Sequence, residues 1–301
     1  MKSMLSPIAS RYGGGKNNYM YSRLRLAEKY LRYYLRAANG KGHGLHSPFV
    51  YDLVREVFCD GTAYAPYGAI EGLRRRLLKD QGALQVEDMG AGSVRGGVRG
   101  DDWTGKLSGL RMRRVADITR HAAKPARLGQ LLFRLARYYR PSVVVELGTS
   151  LGLSTAYLAA GQREGGVHGG KVWTIEGSGA IAERASHHLS SLGLEGVEVM
   201  TGNFDGVLEP LVKRVGPVDL AFVDGNHRYE PTLRYFDILM RHSGRSAMLI
   251  FDDIHWSADM ERAWAEIRAD PRVMMTIDLF FFGLVVRRDE FKVKQDFVIR
   301  F

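Results

Sequence analysis

One cysteine, Cys59, is all that the 301 residues offer, which excludes an internal disulfide framework and any zinc site built on several thiolates. Long apolar runs are missing too. Nothing approaches the roughly 18 residues that a membrane-spanning helix needs. The greasiest stretch, Ile277 to Val286, is broken by Asp278 and Gly283 and reads as paired strands. Met1 to Tyr21 is polar and glycine-rich, with no apolar stretch after Lys2, so an export signal is not expected there. These absences together predict a cytoplasmic protein in a reducing compartment.

What is present is an ordinary globular composition, 45% hydrophobic and 25% charged, enough for a well-buried core. The formal charge of +10 is unevenly spread. Residues 1–140 hold 26 Lys+Arg against 11 Asp+Glu, and residues 141–301 hold 17 against 22. A basic half can attract nucleic acid or another anionic partner. A solvated helical surface accounts for the same charge, and no RNA-binding module accompanies it, so nucleic acid is not the favoured partner.

Residues 1–20, with Gly13-Gly14-Gly15, read as a flexible arm. Leu24, Leu26, Ala27, Tyr30, Leu31, Tyr34 and Leu35 recur at helical spacing with arginines between them, which predicts a basic amphipathic helix over 21–38. Ser47-Pro48 starts another helix, since serine caps and proline suits a first turn. Residues 68–80 and 110–139 also carry helical spacing, the latter broken near Pro125, and a loose glycine-rich loop lies near 88–109. Residues 21–140 therefore read as a basic helical extension or cap without a clear strand series.

From Pro141 the pattern changes. Short continuous apolar runs at Val143–Val145, Val172–Ile175, Val197–Met200, Leu220–Val223 and Met248–Phe251 alternate with helical stretches. That alternation predicts an α/β domain over 141–301, a doubly wound sheet covered on both faces. Two adjacent strands after Pro271 add an antiparallel hairpin at the C-terminal end, giving a mostly parallel sheet of seven strands.

The first of those strands runs through Glu146 into Gly148, Ser150 and Gly152, and a helix opens at Ser154-Thr155. In such sheets ligands bind outside the carboxyl ends of the strands. Free N–H groups at the helix start favour a carboxylate or phosphate. The spacing fails the dinucleotide pattern G-x-G-x-x-G, because Ser150 and Leu153 stand where glycines are needed, and it lacks the lysine of a phosphate loop. A rival loop, Asp88 to Ser93, follows a poor strand and precedes charged residues; it suits a lid or substrate loop better than a cofactor site.

The second strand ends in Glu176, where an acid can accept both hydroxyls of a ribose. Gly202-Asn203-Phe204 follows the third strand, placing an amide and a ring where an adenine could meet them. Asp224 ends the fourth strand, and Asp252-Asp253 end the fifth. Three carboxylates at one sheet edge repel unless a cation offsets them, and such oxygen ligands suit magnesium or calcium.

In order and spacing, Glu146-x-Gly148-x-x-x-Gly152-x-Ser154, Glu176, Gly202, Val223-Asp224 and Asp252-Asp253 resemble class I S-adenosylmethionine-dependent methyltransferases. Within that class the likeness is to the catechol O-methyltransferase branch, over about half the chain. The resemblance implies Glu146, Gly148 and Ser154 around the methionine end of the cofactor, Glu176 on its ribose, and Gly202 to Phe204 near adenine. It also implies magnesium at Asp224, Asp252 and Asp253, with Asp253 in place of a common asparagine. Where that branch often has a lysine base, this chain has His227; the run Asp224-Gly225-Asn226-His227-x-Tyr229 looks like a broader methyltransferase group, which weakens the magnesium expectation.

The expected activity is O-methylation of a small hydroxylated acceptor, with His227 as general base supported by Asp224 and Asp253. His255 is a second, less favoured histidine. An RNA methyltransferase and a non-catalytic cofactor-binding protein are the alternatives.

Overall fold

The computed structural model describes residues 20–38, 46–87 and 110–301. The expected arm, apart from Met20, and the loop at 88–109 with Asp88 to Ser93 lie outside the described residues.

The basic helix is α1 (Arg23–Arg36), started by Ser22, whose side chain accepts from the Arg25 N–H. Ser47 caps α2 (Pro48–Leu53) in the same way, and the helix widens into a π turn over Val54–Phe58. Next come α3 (Ala65–Leu77), β1 (Ala83–Glu87), β2 (Leu110–Arg114), α4 (Val115–Ala122) and α5 (Ala126–Tyr139). The first half therefore does contain strands: β1 and β2 pair antiparallel as a separate two-stranded sheet. Of β1, only Val86 is buried, so no apolar run marks it.

The large sheet is built from β3 (Val143–Leu147), β4 (Lys171–Glu176), β5 (Val197–Thr201), β6 (Val218–Val223), β7 (Ser243–Asp252), β8 (Met275–Asp278), β9 (Phe282–Arg288) and β10 (Gln295–Val298). Helices α6 (Leu153–Glu164), α7 (Gly179–Ser191), α8 (Phe204–Val215), α9 (Tyr229–His242) and α10 (Ala258–Ala269) connect the parallel strands. The spatial order is β10-β8-β9-β7-β6-β3-β4-β5. Strand β9 runs antiparallel to both β7 and β8, which is the expected hairpin. The sheet has eight strands rather than seven, because β10 adds parallel to the outer edge of β8. Its four residues, Gln-Asp-Phe-Val, are only half-buried at best and carry no strand signal.

Alternate residues of each strand face opposite sides. Val144, Leu220, Phe222 and Met248 enter one core, and Val145, Ala221, Leu249 and Phe251 enter another. The first core also takes Val50, Ile70, Ile118 and Leu131 from α2 to α5. The helices of the basic half thus cover one face of the sheet and share its core.

Helix α1 docks at the hairpin. Leu26, Tyr30, Tyr33 and Ala37 bury against Phe280, and Tyr21 N–H donates to the Trp256 carbonyl at 3.2 Å. His255 fastens this junction: Nδ1 lies 3.0 Å from Glu261 Oε1, Nε2 lies 2.8 Å from Asp278 Oδ2, and the ring stacks on Phe280. Lys29 Nζ and Tyr21 OH also donate to Glu261, at 2.9 and 2.8 Å. His255 is therefore a structural residue.

Burial opposes charge on this imidazole, but the hydrogen bonds and charges of Asp278 and Glu261 outweigh it and push the ring up to about 9. A raised pKa stabilises the fold fully below the ordinary histidine value, and the contribution fades as pH rises through about 9. Between pH 7 and 10 the native chain should lose on the order of 2–3 kcal/mol that a His255→Asn variant does not lose. Melting temperatures of both proteins across that range check it; parallel curves would refute it.

Candidate functional site

The chain proceeds from β3 outward to β4 and β5, then returns to β6 on the other side of β3. The crevice between the ends of β3 and β6 is the switch point where doubly wound sheets bind ligands. Here the two strands close tightly, with Asp224 N–H donating to the Leu147 carbonyl at 2.8 Å. Gly148 sits beside this contact with φ +100°, and a Cβ there would lie 2.0 Å from the Asp224 carbonyl oxygen. No side chain fits, so the glycine follows from backbone geometry alone.

The loop then turns through Ser150 (φ +47°) and Gly152 (φ +85°) into α6. Glu176, at the end of β4, holds this turn: Oε2 accepts from Ser150 N–H at 2.9 Å, and Oε1 accepts from Ser178 N–H at 3.1 Å. Its burial raises the carboxyl's pKa, and these amides pull against that rise. Glu176 therefore shapes the loop whatever else it contacts.

Glu146 is fully buried. Its Oε2 accepts from Thr155 Oγ1 at 2.5 Å and from Thr174 Oγ1 at 2.7 Å. Its Oε1 is buried with no hydrogen-bond partner among the described residues. Burial pushes this carboxyl up to about 7, against the hydroxyls of Ser154, Thr155 and Thr174. A pocket beside the turn is lined by Gly148, Ser150 and Ser154 together with Thr119, Lys124 and Asp224.

Gly202 N–H donates to the Glu176 carbonyl at 2.9 Å, which places the end of β5 beside the same loop. The Asn203 side chain accepts from Asp205 N–H at 3.0 Å and caps α8. The Phe204 ring meets Tyr235 edge-on at 5.9 Å and lies against Gly225, where a Cβ would come within 2.5 Å of it. Phe204 thus supports the turn that follows Asp224.

Of the three aspartates, Asp224 and Asp252 come together, and His227 joins them: one ligand atom from each lies within 4.8 Å of the others. Asp253 is not in that group; it follows β7 with φ +54°, its N–H donating to the Phe281 carbonyl at 2.7 Å. Nε2 of His227 stands 3.5 Å from Asp224 Oδ1, and its ring packs edge-on against Trp256.

A residue the motifs did not single out completes the cluster. Lys124, between α4 and α5, is 4% exposed and donates to Asp224 Oδ1 at 2.7 Å and to Asp252 Oδ2. Burial alone would raise the Asp224 carboxyl, but the Lys124 ammonium and the His227 hydrogen bond hold it well below the usual range. Magnesium fits this set poorly. It wants near-octahedral oxygen ligands, whereas the group offers two carboxylates and one imidazole, with an ammonium already bonded to both acids.

Residues 145–254 match a family model described as a methyltransferase domain. Over 141 residues the chain is 32% identical to a catechol O-methyltransferase of Mycobacterium tuberculosis, covering 46% of this chain and 60% of that protein. Over 128 residues it is 28% identical to one from Niastella koreensis, covering 42% of this chain and 55% of the relative. The chain thus spans between half and two thirds of these curated relatives. A crystal structure of the SAH-bound Podospora anserina methyltransferase PaMTH1 has the same fold, with a TM-score of 0.52 at 13% identity, covering 93% of this chain and all of that one. Residues 145–254 thus resemble a methyltransferase domain in sequence, and the chain shares the fold of PaMTH1. Among methyltransferases the domain is similar to the catechol O-methyltransferases.

Proposed function

We propose that this chain is an S-adenosylmethionine-dependent O-methyltransferase acting on a small hydroxylated molecule. One observation carries the reading: the Gly148–Gly152 turn, fastened by Glu176, opens at the switch point, with His227 on Asp224 beside it. The cofactor supplies a methyl group already activated by its sulfonium. The chain must then align the acceptor and remove its proton.

In this reading Glu146, Gly148, Ser150, Gly152 and Ser154 surround the amino-acid end of the cofactor. Glu176 holds the ribose through lone pairs that its two amide bonds leave over, and Gly202, Asn203 and Phe204 stand toward adenine. Asp224 orients His227: with Nε2–H turned to Asp224, the Nδ1 lone pair can take the acceptor's proton, and the carboxylate steadies the resulting imidazolium. Asp252, with Lys124, fixes Asp224. The test is calorimetry with S-adenosylhomocysteine, followed by transfer of labelled methyl from S-adenosylmethionine to a catechol panel and to fractionated cell extract. Saturable binding and a labelled small molecule support the proposal; a well-folded protein giving neither rejects it.

Glu146 adds a linkage. Its carboxyl sits near pH 7 because burial disfavours its charge, and a cofactor ammonium against Oε1 would favour the ionised form. Binding of S-adenosylhomocysteine should then release a proton near pH 6.5, and affinity should rise with pH. Calorimetry at pH 6.5 in buffers of different ionisation enthalpy reads this directly. Glu146→Gln should abolish the buffer dependence and weaken binding roughly 10-fold or more; equal heats for the native protein in both buffers would exclude the ammonium contact.

A further inference from the structure

We propose that Lys124 is the resident cation of this site, held where a divalent ion would have to sit, so that the chain works without metal. Asp224 directly follows β6 and Asp252 ends the adjacent strand β7, and Asp252 has no exposure at all. Two carboxylates so placed require positive charge between them. The Lys124 ammonium supplies it through bonds to both. The side chain reaches in from a buried position over the Phe222 ring, 6.0 Å from its centroid.

Its neighbours in the chain are tied into the two helix ends. Ala123 N–H donates to the Thr119 carbonyl at the end of α4, and Pro125 already accepts from Leu128 and Gly129 at the start of α5. A metal ion entering between the aspartates would have to displace a buried ammonium from both of its acids, which is an unfavourable exchange. An ammonium also lacks the open coordination positions through which an ion lowers a hydroxyl's pKa. Proton removal is thereby left to His227. This consequence rests on the cofactor reading of the crevice, but the cation site itself does not.

The test titrates Mn²⁺ into the full chain and follows the free-ion signal by electron paramagnetic resonance. The native protein should show no tight site, and chelator should leave its S-adenosylhomocysteine binding and any methyl transfer unchanged. Lys124→Ala should gain roughly one bound ion per chain, and Asp252→Asn in that background should remove it. Lys124→Met keeps the stem packed and serves if the alanine variant folds poorly; should neither fold, the native titration decides alone. A native Mn²⁺ site lost in Asp252→Asn, or a folded Lys124 variant without any gained site, overturns the proposal. Because S-adenosylhomocysteine binding is measured separately, a failure of the cofactor reading shows itself independently.

Discussion

Gly148→Ala is expected to cost about 3 kcal/mol or more of stability and to abolish binding of S-adenosylhomocysteine. The reasoning needs only backbone atoms. The added Cβ would lie 2.0 Å from the Asp224 carbonyl oxygen, at a φ of +100° that alanine avoids. Relief would require β3 and β6 to separate where Asp224 N–H meets the Leu147 carbonyl. That movement would also disturb the lysine-bridged carboxylates and the turn held by Glu176. Gly193→Ala is the control: φ there is +63°, and no atom lies within 4 Å of the added carbon. It pays the conformational cost of about 1–2 kcal/mol without the collision. Melting temperatures and calorimetry on both variants separate the two effects. Equal melting temperatures, with ligand binding retained in Gly148→Ala, would mean that the strands do not close in this way.

The features legible in the sequence are those encoded over short separations. The apolar runs, the Gly148–Gly152 spacing and Glu176 all lie within one β-α-β unit, where local pattern reports local structure. The hairpin after Pro271 was legible for the same reason. Strands β1 and β2 were not, because residues 88–109 separate them and a single buried valine marks β1. Strand β10 was hidden by its charged edge character. The carboxylate cluster was half legible. Strand ends placed Asp224 and Asp252 together, but adjacency in sequence also suggested Asp253, which is not in the group.

Lys124 was illegible, one of 43 basic residues lying 100 and 128 positions from the acids it joins. Its position before Pro125 carries no signal by itself. Only the packing of α4 and α5 on the sheet delivers it. The basic half therefore contributes one charge to the site by position, while most of its other described basic residues are exposed or half-buried.

Replacing His227 by alanine should lower the turnover number for methyl transfer roughly 10²- to 10⁴-fold, the usual contribution of a general base. Affinity for S-adenosylhomocysteine should hardly change, since the loop of Gly148 to Gly152 and its two glutamates are untouched. The argument follows from the division of charge at the cluster. Lys124 is bonded to both Asp224 and Asp252, and the Asp224 carboxyl is held below its ordinary range, which makes it a poor proton acceptor. The imidazole beside it, packed against Trp256, is the remaining basic side chain of the cluster. Added imidazole should restore part of the rate to His227→Ala and none to the native protein, a readout that lost packing alone would not produce. An unchanged turnover number would assign proton removal elsewhere. A lowered rate beyond rescue, together with weakened cofactor binding, would make His227 a structural support of the Asp224 turn.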